Sequence, residues 1–299
     1  MSDAIIGVAR PRLDAPDKVT GGTRYAADGY VHGLLHARPV LASEAHARIL
    51  GIDGSAALEI SGVVAVLTAA DLPIATPGTD RTSEPLAREE VVFAGQPVAL
   101  VVAESEAAAE DGAEATVVEY EPLAAVVDVE AAMQPGAPLA RVVEARDDEA
   151  GDLESIHAGV DAGQEDVSGE ELSENVLDRI TRDDGDVEAA FGASDAVVEA
   201  TFRTPWVYQA YLEPQVCTAW LEPSGSLVVS TSTQGAFVTR SELARAFDLP
   251  LERIRVVAEP LGGAFGGKFA LVEPLAAGAT LARSSPGTSS TASRARTGT

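Results

Sequence analysis

"PLGGAFGGKF", residues 260–269, crowds four glycines around Phe265 and ends on a lysine–phenylalanine pair. Glycine allows positive φ and lets backbone N–H groups approach a ligand closely. The loop follows the strand-like "RIRVVAEPL" (253–261), so it can present a nest of amides to an anion or to the oxygens of a metal centre. It is not a phosphate loop, because Phe269 stands where G-x-x-x-x-G-K-[ST] needs a hydroxyl. It is not a G-x-G-x-x-G fingerprint either, since no clear helix opens after it. On spacing alone, a tight turn in a sheet accounts for the loop equally well.

Outward from the loop, the pattern alternates strands and helices. "GSLVVSTSTQGAF" (225–237) predicts a strand running into a loop, and "VTRSELARAFDL" (238–249) a helix with Val238, Leu243, Ala246 and Phe247 on one face. "AVVEATFRTPW" (196–206) and "VCTAWLEP" (216–223) read as strands, and "GDVEAAFGASD" (185–195) as a short helix. Nearer the start, "GLLHARPVLA" (33–42) and "PVALVVAES" (97–105) are strand candidates. "SEAAAEDGAEATV" (105–117) is a helix capped by Ser105, and "VVEYEPL" (117–123) returns as a strand. Interleaving of this kind predicts an α/β or α+β fold.

The 299 residues suit two domains, and 46% apolar content is enough for a substantial core. No apolar run approaches the roughly 18 residues of a membrane span. The start lacks the pattern of a secretory signal, so a cytoplasmic location is expected. A single cysteine, Cys217, excludes an intrachain disulfide and any multi-cysteine zinc or iron–sulfur site in these residues. The net charge of −26 disfavours nucleic acid and anionic membranes as partners. It fits either a basic protein partner or a surface adapted to high salt, and the even spread of the acids favours the halophilic reading. Residues 144–174 hold twelve acids and one arginine with no clear period, which reads as a mobile linker. A calcium loop is the sharper alternative there, but the regular Asp spacing of an EF-hand is lacking. The expected division is 1–133, an acidic disordered linker over 134–184, a second domain over 185–277, and a disordered, non-native-looking tail over 278–299. The tail is acid-free from residue 274 onward and rich in Ser and Thr, as an out-of-frame translation beginning near Ala277 would be.

Several ordered stretches carry a resemblance. "GGAFGGK" (262–268) resembles the molybdopterin-binding loop of the xanthine dehydrogenase/aldehyde oxidase family, which usually reads GGGFGGK. "STSTQGAF" (230–237) and "YQAYLEPQVCTAW" (208–220) are similar to that family's S-T-Q and Leu-Glu-Pro segments. "RPRLDAPDKVTGGTRYAAD" (10–28) and "VVFAGQPVALVVAESEAAAEDGAEATVVEYEPL" (91–123) resemble its a/b hammerhead domain. The resemblance covers roughly residues 7–277. It implies a hammerhead domain over 1–133 followed by the first part of a molybdopterin-binding α/β domain over 185–277.

The resemblance also implies roles. Gln234 matches the glutamine whose side-chain amide bonds an oxygen of the molybdenum centre. Phe265 and Gly266 match the pair whose backbone N–H groups face the cofactor, with the Phe265 ring wedging the loop against the core. Gly262, Gly263 and Gly267 would allow close approach. Lys268 would pair with an anionic cofactor group or lie in solvent. Glu213 matches a family signature, either without a catalytic step or as a buried group orienting its strand. Phe269 stands where some xanthine-oxidising relatives carry a substrate-contacting glutamate, which argues against purine specificity. The implied reaction is oxidative hydroxylation of aldehydes or N-heterocycles such as purines, with water as oxygen source. The family's base glutamate has no counterpart here, so no catalytic residue and no direct metal ligand is expected. Iron–sulfur clusters and FAD would sit on partner chains, with a large-subunit dimer as a further assembly. Three readings follow: a large-subunit fragment inactive alone, a non-catalytic interaction module, or half of a split large subunit.

Overall fold

The structure, a computed structural model, describes residues 7–29, 31–75, 78, 82–142, 173–176, 184–284 and, for the backbone, 294–298. Its helices are α1 (Ala15–Thr20), α2 (Ser55–Leu58), α3 (Glu106–Ala115), α4 (Val129–Ala132), α5 (Val187–Ala193), α6 (Ala236–Phe247) and α7 (Glu273–Ser284). The strands are β1 (Leu35–Leu41), β2 (Ala47–Asp53), β3 (Val63–Thr68), β4 (Glu90–Val91), β5 (Pro97–Ala103), β6 (Val117–Pro122), β7 (Val216–Leu221), β8 (Leu227–Thr231), β9 (Ile254–Ala258) and β10 (Arg294–Gly298).

Seven strands form one sheet in the order β3-β5-β1-β10-β7-β8-β9, and β4-β2-β6 form a second. The continuous apolar run of β5 suits a strand covered on both faces, and residues 98–103 are all buried. Leu100 and Val102 face a cluster with Ala37, Leu67 and Leu86. Ala99 and Val101 face the other side, against Val40, Ala47 and Val91. The Ser105 hydroxyl accepts the Ala108 N–H at 3.2 Å, the cap expected for α3. Further along, β8 and β9 are parallel, which requires a crossover, and α6 supplies it. Leu243, Ala246 and Phe247 of α6 enter a core with Cys217, Ala219, Leu227, Val229 and Ile254.

Helix α7 joins the two cores. Ala276 and Ala277, with Val272 just before the helix, pack with the β7–β9 cluster, while Leu275 and Ala279 pack with Leu67, Leu72 and Leu100. This differs from the disordered tail expected over 278–299: the helix runs to Ser284, and 294–298 form a strand between β1 and β7. Gly278 does not break the helix. It is buried, and a Cβ there would lie 3.1 Å from a Leu72 methyl, so it lets the helix close on that side chain.

The strand expected over 196–206 is also corrected. These residues carry no regular structure, and Phe202 and Trp206 are fully in solvent. Alternation gives a segment strand-like faces but no ladder partner, and none of the described strands pairs with it. Most of the expected acidic linker, 143–172 and 177–183, lies outside the described residues. Its flanks are ordered: Asn175 Oδ1 accepts the Ala140 N–H at 2.7 Å, and its Nδ2 donates to Ala132 O and Pro138 O.

Two buried ionisable groups give testable behaviour. Burial, and then the nearby Glu273, pushes the Cys217 thiol well up from its ordinary value. Its reaction with a disulfide reagent in the native protein is therefore expected to be at least about 100-fold slower than in urea, where opening exposes it. A native rate close to the unfolded one would show that the β7 core opens readily. Burial likewise raises the Glu273 carboxyl, although Thr231 Oγ1 donates to it at 2.8 Å. A folded pKa above the unfolded one gives a contribution present in full below the unfolded carboxylate range and lost as pH rises through the folded pKa. Glu273→Gln should therefore flatten the decline of the urea midpoint from about pH 4 upward. An unchanged pH dependence in the variant would count against it.

Candidate cofactor site

Three segments meet at one end of the β7–β9 half of the sheet: 209–215 before β7, the turn 232–235 between β8 and α6, and the glycine loop 260–268 after β9. They bring together Gln234, Gly263, Phe265 and Gly266. The Gln234 backbone N–H donates to Lys268 O at 3.0 Å. Its side-chain Oε1 accepts the N–H of Gly266 at 3.0 Å and that of Lys268 at 3.4 Å. Both neighbours are donors, so only the amide oxygen can face them. The Nε2 hydrogens are left to point outward, and Gln234 is exposed. Helix α6 begins two residues later with no side chain capping its first turn, so its positive end lies beside the same amide.

Beneath the loop lies the 209–215 segment. Glu213 Oε2 accepts the Gly262 N–H at 2.7 Å and Lys268 Nζ at 2.6 Å. Lys268 Nζ also sits 4.8 Å from the centre of the Tyr211 ring. Gln215 Nε2 donates to Tyr211 Oη and to Gly267 O. A Cβ at Gly262 would lie 2.6 Å from Glu213 Cβ, and one at Gly267 would lie 2.8 Å from a Tyr211 ring carbon. These two glycines allow the loop to lie directly on Glu213 and Tyr211, a close approach within the chain.

Three sequence expectations change. Lys268 neither lies in solvent nor points at the ligand side: its side chain is 1% exposed and paired with Glu213. A lone cation fits there because an acid 55 residues away in sequence comes to it. The Phe265 ring does not wedge into the core. It is 77% exposed, with φ +50°, and Ala264 is the side chain turned inward. A non-glycine residue in that region carries strain of about 1–3 kcal/mol, which the surrounding bonds sustain. The Gly266 N–H does not face outward either, because Gln234 Oε1 takes it. Glu213 is the buried glutamate that the sequence offers as one alternative, while the roles of Tyr211 and Gln215 emerge only in the structure. Their signal was present in "YLEPQ" (211–215), where three hydrogen-bonding side chains fall on alternate positions.

The site leaves the amide nitrogen of the exposed Gln234 as its donor and turns its carboxylate inward, which suits an oxygen-rich ligand. Comparisons with known proteins agree. Residues 20–124 match the family model of the aldehyde oxidase and xanthine dehydrogenase a/b hammerhead domain, and residues 169–287 that of the molybdopterin cofactor-binding domain. A probable xanthine dehydrogenase subunit of Bacillus subtilis is 33% identical over 276 residues, covering 90% of this chain and 32% of that protein. The xanthine dehydrogenase molybdenum-binding subunit of Escherichia coli is 30% identical over 279 residues, covering 89% of this chain and 33% of that one. Among solved structures, a reconstituted CO dehydrogenase from Oligotropha carboxidovorans superposes with a TM-score of 0.75 at 28% identity, over 98% of this chain and 35% of the other. The chain thus spans about a third of the length of these relatives.

Proposed function

Because the chain belongs to the xanthine dehydrogenase/aldehyde oxidase family of molybdopterin-binding large subunits, we propose that 232–237 and 260–268 form one wall of a molybdopterin site in an oxidoreductase. The carrying observation is the Gln234 amide, whose oxygen is saturated by Gly266 and Lys268 and whose Nε2 must donate outward. A cofactor oxygen placed there receives a hydrogen bond without gaining a charge or a ligand. Gly263 and Phe265 shape the adjoining backbone, and Gly266 holds the amide in orientation. When bound, the cofactor supplies oxidative hydroxylation of an electron-poor carbon in an aldehyde or N-heterocycle, with water as oxygen source. No helix among the described residues is long and apolar enough to cross a membrane.

The finer reading is that this chain binds the cofactor weakly and does not catalyse alone, since it supplies one wall and no base glutamate. Iron–sulfur and FAD subunits would accept the electrons, in a cytoplasmic assembly that includes a large-subunit dimer, and the acidic surface would suit high salt. A second reading, half of a split large subunit, is favoured by the exposed Phe202, Trp206 and Tyr208, which another polypeptide would cover. Chain purified from a host that makes molybdopterin should carry molybdenum well below one atom per chain and oxidise neither aldehydes nor purines. Gln234→Ala should lower that content at least about tenfold, the effect of losing roughly 1.4 kcal/mol of hydrogen bonding. Stoichiometric metal with turnover, or equal metal in the variant, would overturn the reading.

A further inference from the structure

We propose that Glu213 is a positioning residue: with Lys268 it forms a buried latch that closes the glycine loop and fixes the orientation of the Gln234 amide. One carboxylate oxygen, Oε2, holds the N–H of Gly262 and the ammonium of Lys268, so it ties together the two ends of the 262–268 loop. Lys268 then carries the constraint onward through its backbone. Its C=O accepts the Gln234 N–H, and its N–H donates to Gln234 Oε1. The Glu213 carboxylate thus reaches the outward-facing amide through a single intermediate residue.

The ionic pair is a poor device for stability alone. The two side chains are 7% and 1% exposed, so both charges have lost most of their water. Glu213 Oε1 is buried without a hydrogen-bond partner among the described residues. A well-packed neutral pair of similar volume is often as stable as a buried ion pair or more so. What the charged pair adds is one geometry. A carboxylate oxygen that accepts from a backbone N–H and an ammonium together fixes the distance between them, and apolar contacts would leave that distance free. The inference rests on the proposed role of Gln234 for its functional meaning, but not for its test.

The test uses the full chain without cofactor, in four forms: wild type, Glu213→Gln, Lys268→Met and the double variant. Three quantities are read: the side-chain amide resonances of Gln234, hydrogen exchange at Gly266 and Lys268, and the urea midpoint, with exchange in β5 as control. Each single variant should speed exchange at 266 and 268 at least about tenfold while β5 stays within about twofold. The Gln234 Nε2 signals should move to solvent-averaged positions. The double variant, free of an unpaired buried charge, should recover the urea midpoint without recovering the Gln234 signals. A purely structural pair would restore both together, and that result overturns the proposal. Unchanged Gln234 signals in a folded Glu213→Gln chain also overturn it. If the single variants do not fold, the double variant decides, since native Gln234 signals there contradict a positioning role. A cofactor that binds elsewhere would refute the proposed function and leave these readouts intact.

Discussion

Leu100→Ala is expected to lower the free energy of unfolding by about 2–5 kcal/mol, the range for emptying a filled core position. Leu100 is fully buried in the middle of β5, paired with Pro39 on one side and Leu67 on the other. Its side chain belongs to the cluster that contains Leu275 and Ala279 of α7, so it links the N-terminal strands to a helix from the far end of the chain. Three elements would have to move together to fill the cavity, which places the cost towards the upper part of the range. Urea denaturation followed by circular dichroism gives the difference. A loss below about 1 kcal/mol would mean that α7 does not pack on β5 as described.

Gly262→Ala is expected to cost about 1–3 kcal/mol, as overpacking does, and to disturb the site at a distance. The added Cβ would lie 2.6 Å from the Cβ of Glu213. Both atoms are fixed directly to backbone, so no side-chain rotation relieves the clash. Either the loop lifts or the 209–215 segment recedes, and both movements pull Oε2 away from the Gly262 N–H. Gly266→Ala is the informative comparison. A Cβ there meets open space, and the cost comes only from φ +89°, about 1 kcal/mol. Gly262→Ala should therefore be the more destabilised of the two and should speed exchange at Lys268. Equal stability of the two variants would show that the loop does not rest on Glu213.

The elements most legible in the sequence are those whose signals are local. The apolar run of β5 and the Ser105 cap of α3 need only their own residues and are found where the pattern places them, while the buried face of α6 keeps Leu243, Ala246 and Phe247 but takes Thr239 in place of the half-buried Val238. The misread positions depend on neighbours distant in the chain. Residues 196–206 alternate like a strand, but a strand exists only where another backbone pairs with it. Lys268 reads as a free or ligand-facing cation until Glu213 comes within 2.6 Å. The resemblance implies that the Phe265 ring packs against the core, whereas the ring is exposed, its backbone is left-handed and Ala264 is the buried side chain. The acid-free, Ser- and Thr-rich composition after Glu273 reads as a disordered tail, yet helix α7 continues to Ser284 with Gly278 buried against Leu72. At the site, spacing alone left the glycine loop open between a turn and an anion nest. The resemblance to known segments selected Gln234, and in the geometry its amide oxygen is occupied while its nitrogen has no partner among the described residues.

The central claim is that the 232–235 turn and the glycine loop form one wall of a molybdopterin site. Hydrogen exchange of the full chain, with and without molybdenum cofactor released from a purified molybdenum hydroxylase, tests it most directly. Cofactor is predicted to slow exchange at 234–237 and 262–268, to leave β5 unchanged, and to have no effect on the loop of Gln234→Ala. Unaltered exchange in the loop at saturating cofactor, or protection confined to the groove beside Arg38, Glu114 and Tyr120, would contradict it.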